Sequence, residues 1–432
     1  MMKGKILIAG ILLLSVLFAS CSIFGDIEDL RDKVAGKDKK PLSGNDYEAP
    51  EPGSSPDFPV KYQIPDSLNL GGDMTSPNSV WVQLLKIIDA DGKYVELDLS
   101  KCINLPNVSS IPVFEPYYGE NIGQDKIVSL ILPEEAIMVM PGSVYTIISM
   151  MYYTNLKNVV GPNIQQIGGL TFASLDKLTS VDFPKVTQIH SSAFAGCTSL
   201  TNVSFPQITN IGARAFEDCT ALKYIRLNPS TIISSNNPFV GCTSLKTFDI
   251  LLGGSPSGLH LLPTNAGVLL NNDELVAYPT ASGNISVSMA YGITKIGESA
   301  FAGCKDLTSI NIGNVTKVFA YSFEKCEKLT SVYMPFVELI NEGVFRMTGT
   351  ATLTITLGST VPDVGIRIFD FCSEPKNVIV KRPNGATGYG SSPTNTTANN
   401  WGNAFRGKGW DSVYGYNSGT VNEKITLTIE DI

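Results

Sequence analysis

The chain has 432 residues, 43% hydrophobic and 17% charged, with 39 Gly, 25 Pro, eight Cys, only two His and a formal net charge of −8. An acidic chain with no Lys/Arg-rich run lacks the positive footprint that neutralises phosphates, so nucleic acid is not an expected partner. Two histidines, His190 and His260, are too few for an imidazole metal cluster and leave little for a His-dependent triad, so no metal or other cofactor is expected.

Lys3 and Lys5 precede an apolar run over residues 6–19. A spanning helix needs about 20 apolar residues, so the run reads as the core of a signal peptide (residues 1–20) and not as a membrane span. It ends in Leu17-Phe18-Ala19-Ser20-Cys21, which resembles a bacterial lipobox. Phe18 stands where the usual lipobox has Leu, a departure similar to the looser lipobox of spirochaetes. The resemblance implies cleavage before Cys21 and acyl chains on that residue, which hold the protein to a membrane leaflet, in the outer membrane and at the cell surface or on its periplasmic face. An ordinary secretory signal is the alternative. Residues 21–60 are rich in alternating charge and then in Pro, Gly and Ser, a composition that cannot bury enough apolar surface to offset its ordering entropy. They read as a flexible tether.

Residues 61–94 read as an N-terminal β cap, a hairpin whose arms, Trp81 to Ile88 and Lys93 to Leu99, flank the turn Asp89-Ala90-Asp91-Gly92. The turn resembles the opening of a calcium loop but lacks the later acidic ligands.

From residue 95 to 380 the chain repeats itself. Phenylalanines recur at Phe172, Phe194, Phe216, Phe239, Phe301, Phe323, Phe345 and Phe369, in steps of 22, 22, 23, 62, 22, 22 and 24. A β-branched residue lies five before most of them, as in Ile189, Ile211, Ile296 and Ile340, and a Leu six after, as in Leu200, Leu222 and Leu307. Alternating pairs such as Val203/Phe205 and Ile310/Ile312 follow, a period of two that specifies a short strand with one face buried. A coil of this length cannot bury its own apolar face, so neighbouring coils must stack, with equivalent strands pairing in parallel about 4.8 Å apart. The expected fold is a mainly β repeat solenoid with about 11 or 12 rungs, a parallel sheet on one face and few or short helices.

The stretch from Leu178 to Leu227, LTSVDFPKVTQIHSSAFAGCTSLTNVSFPQITNIGARAFEDCTALKYIRL, resembles the BspA-type, or Treponema-type, leucine-rich repeat of bacterial surface proteins. That family includes members with an inserted hairpin-like unit. The resemblance places one here in the step of 62, about residues 251–295, as Asn265 to Leu270 followed by Leu275 to Pro279. It also implies an adhesin-like role toward host matrix proteins or other bacteria.

Cys197, Cys219, Cys242, Cys304, Cys326 and Cys372 each follow a repeat Phe by three residues, and none forms a CxxC pair. In a ladder the Cβ vectors run parallel, which disfavours disulfide geometry, so these read as free buried thiols packed with Phe194, Phe216, Phe239, Phe301 and Phe323. Cys102 reads as a degenerate member. His190 occupies a turn position filled by Gly in neighbouring coils, and His260 has no ligand-forming neighbours in sequence.

Residues 381–432 form a Gly/Asn-rich segment with Tyr389, Trp401, Phe405, Trp410, Tyr414 and Tyr416, ending in an alternating strand over 424–429. It reads as a cap over the open end of the solenoid, with an aromatic platform for a glycan or peptide as the alternative. The residues flanking each inward strand position point outward, and most are small and polar. Asp182, Tyr224, Arg226, Asp249 and Tyr333 stand out as a candidate binding face, because Tyr and Arg are enriched in binding hot spots. The sequence therefore points to a non-enzymatic envelope lipoprotein that binds a protein or glycan ligand. Two alternatives are a scaffolding lipoprotein without host contact and a cell-wall hydrolase, for which no local acid/base or nucleophile signature is present.

Overall fold

The computed structural model describes residues 51–64, 68–70, 79–103, 121–139, 150, 152–228, 230–233, 236–250, 259–261, 268–282, 292–349, 351–365, 368–369, 377–386 and 426–432. The expected signal sequence, Cys21, most of the expected tether, Cys372 and the aromatic residues of 389–416 lie outside them.

Each coil contributes two strands. The first carries the alternating pair, as in Ser180–Asp182, Asn202–Ser204, Tyr224–Leu227, Ser309–Asn311 and Ser331–Tyr333. The second is two residues long and ends on the β-branched position, as in Gln188–Ile189, Asn210–Ile211, Lys295–Ile296 and Leu339–Ile340. Equivalent strands pair in parallel and in register one repeat apart, Ile225 opposite Val203 and Ile211 opposite Ile189. This is a β-solenoid with coils of about 22 residues and a single α-helix among the described residues.

The Phe-bearing turn closes each coil. Rings stack face to face along the axis, Phe172 on Phe194 at 5.1 Å and Phe194 on Phe216 at 5.2 Å between centroids, then Phe301 on Phe323 at 5.2 Å. All these rings are fully buried. Most of these turns also hold two residues in the left-handed region, two before and two after the Phe, as in Arg214 and Asp218 or Tyr321 and Lys325.

The N-terminal segment differs from its expected β hairpin. Residues Val80–Asp91 form a helix, capped by Ser79, whose Oγ accepts from the Val82 amide at 3.1 Å, and ended by Gly92 at φ 68°. The buried residues Trp81, Leu84, Leu85 and Ile88 are spaced three, four and seven apart, one face of a helix, and this spacing overrides the period-two reading. Asp89 to Gly92 is therefore a helix C-terminus and not a calcium loop. The strand Val60–Gln63 pairs in parallel with Val95–Asp98, so the end of the solenoid is covered by one strand and one helix.

Where the step is 62, the strands Leu269–Asn271 and Glu274–Ala277 form an antiparallel hairpin, and Glu274–Ala277 then pairs in parallel with Lys295–Ile296. The buried residues divide into two cores at this hairpin. Leu269, Val276 and Ala277 belong to the N-terminal core, whereas Val268, Leu270, Leu275 and Tyr278 belong to the C-terminal one. A backbone bond crosses the seam, from Asn237 N to Glu298 O at 3.1 Å.

Candidate functional site

The outward residues are built on the first strand of each coil, where the inward neighbour anchors the backbone. Ile225 is fully buried, so Tyr224 and Arg226, one residue to each side, face solvent. The next coil is one residue longer, and its strand pairs Thr247 with Tyr224 and Asp249 with Arg226. One carboxylate oxygen of Asp249 then accepts two bonds, from Arg226 Nε at 2.7 Å and from the Tyr224 hydroxyl at 3.0 Å. The Arg226 guanidinium lies 5.8 Å from the centre of the Tyr224 ring. The hydrogen bond from Arg226, then that from Tyr224, hold the Asp249 carboxyl below the usual carboxylate range. Burial and the bond to Asp249 push the Tyr224 phenol up. The three side chains form a hydrogen-bonded group, half-exposed on the outer face of the sheet.

The other two candidates are apart from it. Asp182 is exposed on the strand Ser180–Asp182, two rungs before Tyr224. Tyr333 is 44% exposed in the C-terminal half, on the strand Ser331–Tyr333. The structure thus brings together Tyr224, Arg226 and Asp249, and leaves Asp182 and Tyr333 separate.

The cysteines lie inside. Cys197, Cys219, Cys242, Cys304 and Cys326 are free and buried, as is Cys102. Four of them have a bond that residue spacing does not reveal. Cys197, Cys219, Cys242 and Cys326 each donate Sγ–H to the carbonyl of the preceding coil's Phe at 3.0 to 3.2 Å, as from Cys219 to Phe194. Burial raises the thiols of Cys197, Cys242, Cys304 and Cys326 far above their ordinary value. A thiol held protonated in this way is neither a nucleophile nor a metal ligand. His190 is exposed at a turn, and His260 lies on the strand Leu259–Leu261. Among the described residues no cluster of His, Cys, Asp and Glu could hold a metal ion.

Sequence reasoning also missed a buried carboxylate on the Phe-turn side. Glu324, only 7% exposed, binds Arg346 at 2.8 Å, and Arg346 lies 5.9 Å from the Tyr321 ring. The Tyr321 hydroxyl donates to Glu342 at 2.7 Å, and this bond, with burial, pushes the phenol up to about 12. No helix among the described residues is long and apolar enough to cross a membrane.

The model of the BspA type leucine rich repeat region matches this chain in six copies, over residues 146–253 and 281–382. A solved leucine-rich repeat protein from Eubacterium ventriosum ATCC 27560 is 19% identical, with 61% of this chain and 68% of that chain covered and a TM-score of 0.48. One from Bacteroides ovatus ATCC 8483 is 21% identical over 63% and 82%, with a TM-score of 0.31. The leucine rich repeat protein of T. pallidum is 20% identical over 46% and 77%, with a TM-score of 0.29. No curated protein matches the sequence. The six matched copies fall on the stacked coils, and over these residues the chain is similar to the BspA type leucine-rich repeats.

Proposed function

We propose that this protein is a non-enzymatic, exported lipoprotein that binds other macromolecules through the outward face of its repeat sheet, as an adhesin toward host matrix proteins or other bacteria. The observation that carries the binding role is the group of Tyr224, Arg226 and Asp249. Its side chains are already ordered, so a partner meets an aromatic face and a guanidinium without the usual entropic cost of fixing them. The lipobox-like Leu17 to Cys21 supports a lipid anchor at Cys21, and residues 22–50 would carry the body clear of the bilayer. Residues 51–60, expected as tether, are instead bonded to the body, Tyr94 N donating to Gly53 O at 3.0 Å and Lys157 Nζ to Pro56 O at 3.1 Å.

Arrays of immobilised matrix proteins probed with the full chain test the binding role, together with Arg226→Ala and Tyr224→Ala. Binding that drops about tenfold or more in either variant is expected for a hot spot. Absence of binding by the unaltered chain, or binding that both variants retain, would overturn the reading. Protease treatment of intact cells tests the surface location: loss of the body is expected, and its survival would favour a scaffold inside the envelope.

A further inference from the structure

In five of the coils the corner between the two strands is a turn whose first residue is Pro or Gly and whose second faces solvent. In these five, two before the inserted hairpin and three after it, that second residue is Lys185, Gln207, Asn314, Phe336 and Ser359, polar in all but one. Phe336 is 64% exposed. Three residues earlier on the same coil stands the exposed Tyr333, again in a column that is polar in the neighbouring rungs, with Asn311 before it and Thr356 after it. Two independent columns thus depart toward an exposed aromatic in one coil. Folding gains nothing from either, since an aromatic left in water forgoes its burial energy.

Phe336 lines an open groove of about 540 Å³, with Pro335, Gly358 and Pro383 forming its apolar part. Asn314, Thr316, Glu338, Ser359 and Thr360 supply the rest. The volume lies within the range of small-ligand sites. Gly358 keeps one side of the corner low, since a Cβ there would meet the Pro335 carbonyl at 1.8 Å.

We propose that this corner is a binding subsite for a neutral glycan chain, separate from the Tyr224 group. A pyranose ring offers an apolar C–H face to an aromatic ring and a rim of hydroxyls that both donate and accept. Phe336 supplies the face. Asn, Thr and Ser side chains supply donors and acceptors, and the Glu338 carboxylate supplies acceptors. Among the described residues Glu338 is the only ionisable one lining the groove, so an anionic sugar or an acidic peptide would be repelled. An apolar or proline-rich peptide needs a mainly apolar groove, whereas five of the nine lining residues here are polar. The groove opens to solvent, so a polymer can continue past it.

Calorimetric titration of the full chain with chitohexaose, cellohexaose and mannohexaose, and with a proline-rich decapeptide, tests the proposal. Binding to at least one hexasaccharide is expected. It should weaken about tenfold in Phe336→Ala, the scale of one lost stacking contact, and persist in Phe336→Trp and in Arg226→Ala. Thermal melting of Phe336→Ala should match that of the parent, because the ring contributes little to the core. No heat with any of the three sugars, equal sugar affinity in Phe336→Ala, or preference of the groove for the peptide would each overturn it. The retention of sugar binding in Arg226→Ala separates this outcome from failure of the matrix-protein reading.

Discussion

The Cys219 thiol donates to the carbonyl oxygen of Phe194 across 3.1 Å, tying one coil to the one before it. The same carbonyl already accepts from the Cys197 amide at 3.1 Å, so the thiol fills its second lone pair. Replacing Cys219 by Ala removes this bond and a little volume, and stability should fall by about 1 kcal/mol. Cys219→Ser keeps a donor and should recover part of that loss. Urea denaturation of the three proteins checks this; equal midpoints for Ala and Ser would mean that the thiol only fills space.

The stacked rings should matter more. Phe216 lies between Phe194 and Phe239, at 5.2 and 5.7 Å, and is fully buried. Its truncation to Ala leaves a ring-sized void in a stack, at a cost of about 3–5 kcal/mol. Thermal or urea unfolding measures the loss, and Phe216→Leu should cost less because it fills more of the void.

The buried thiols give the protein an alkaline limit. Unfolded cysteines ionise near pH 8.5. In the folded chain burial holds Cys197, Cys242, Cys304 and Cys326 protonated far above that, and burial with the Asp98 charge puts Cys102 at about 12. Below pH 8.5 both states keep the protons, and the full stability is present. Above it the unfolded chain releases protons that the folded chain retains, so stability falls as pH rises. Each thiol withdraws roughly 1 kcal/mol by one unit above its unfolded value. Unfolding free energies compared at pH 7 and pH 9.5 should show the drop, and Cys242→Ala/Cys326→Ala should show less of it.

Two left-handed positions make opposite predictions. Lys325 sits at φ 57°, where a Cβ costs energy that Gly avoids. Gly also makes the unfolded chain freer, so Lys325→Gly should gain only about 0.5 kcal/mol net. At the equivalent position Gly241 has φ +75°, and an added Cβ would fall 2.0 Å from Asp218 Oδ1. Gly241→Ala should therefore lower the melting temperature while Lys325→Gly raises it slightly.

Much of this could be read from residue types because stacking makes each coil answer to the same constraints. Phe194, Phe216 and Phe301 recur at one position since only a flat ring fills the slot between two identical rings. The helix Val80–Asp91 occurs once, so no register supports it, and its signals are local: the Ser79 cap, the Gly92 stop and the spacing of Trp81, Leu84, Leu85 and Ile88. Tyr224 and Arg226 could be placed outward by period two. Their sharing of one Asp249 oxygen depends on strand register between coils of unequal length, which residue types do not state. The thiol bonds were hidden for another reason, since their acceptors are backbone carbonyls that every residue possesses. Phe336 did have a signal, the break in a polar column, but it appears only once the turns are aligned by coil.

The hairpin Leu269–Asn271 and Glu274–Ala277 sends neighbouring side chains into different cores. In an array where each coil answers only to its neighbours, such a junction is a firebreak. Among the described residues, loss of structure that begins in one half finds no continuous buried apolar cluster along which to cross, so melting should occur in two stages. The same partition makes each half an independent unit of growth. Coils gained or lost before Leu269 alter the reach of the face bearing Arg226, while the corner at Phe336 keeps its own support.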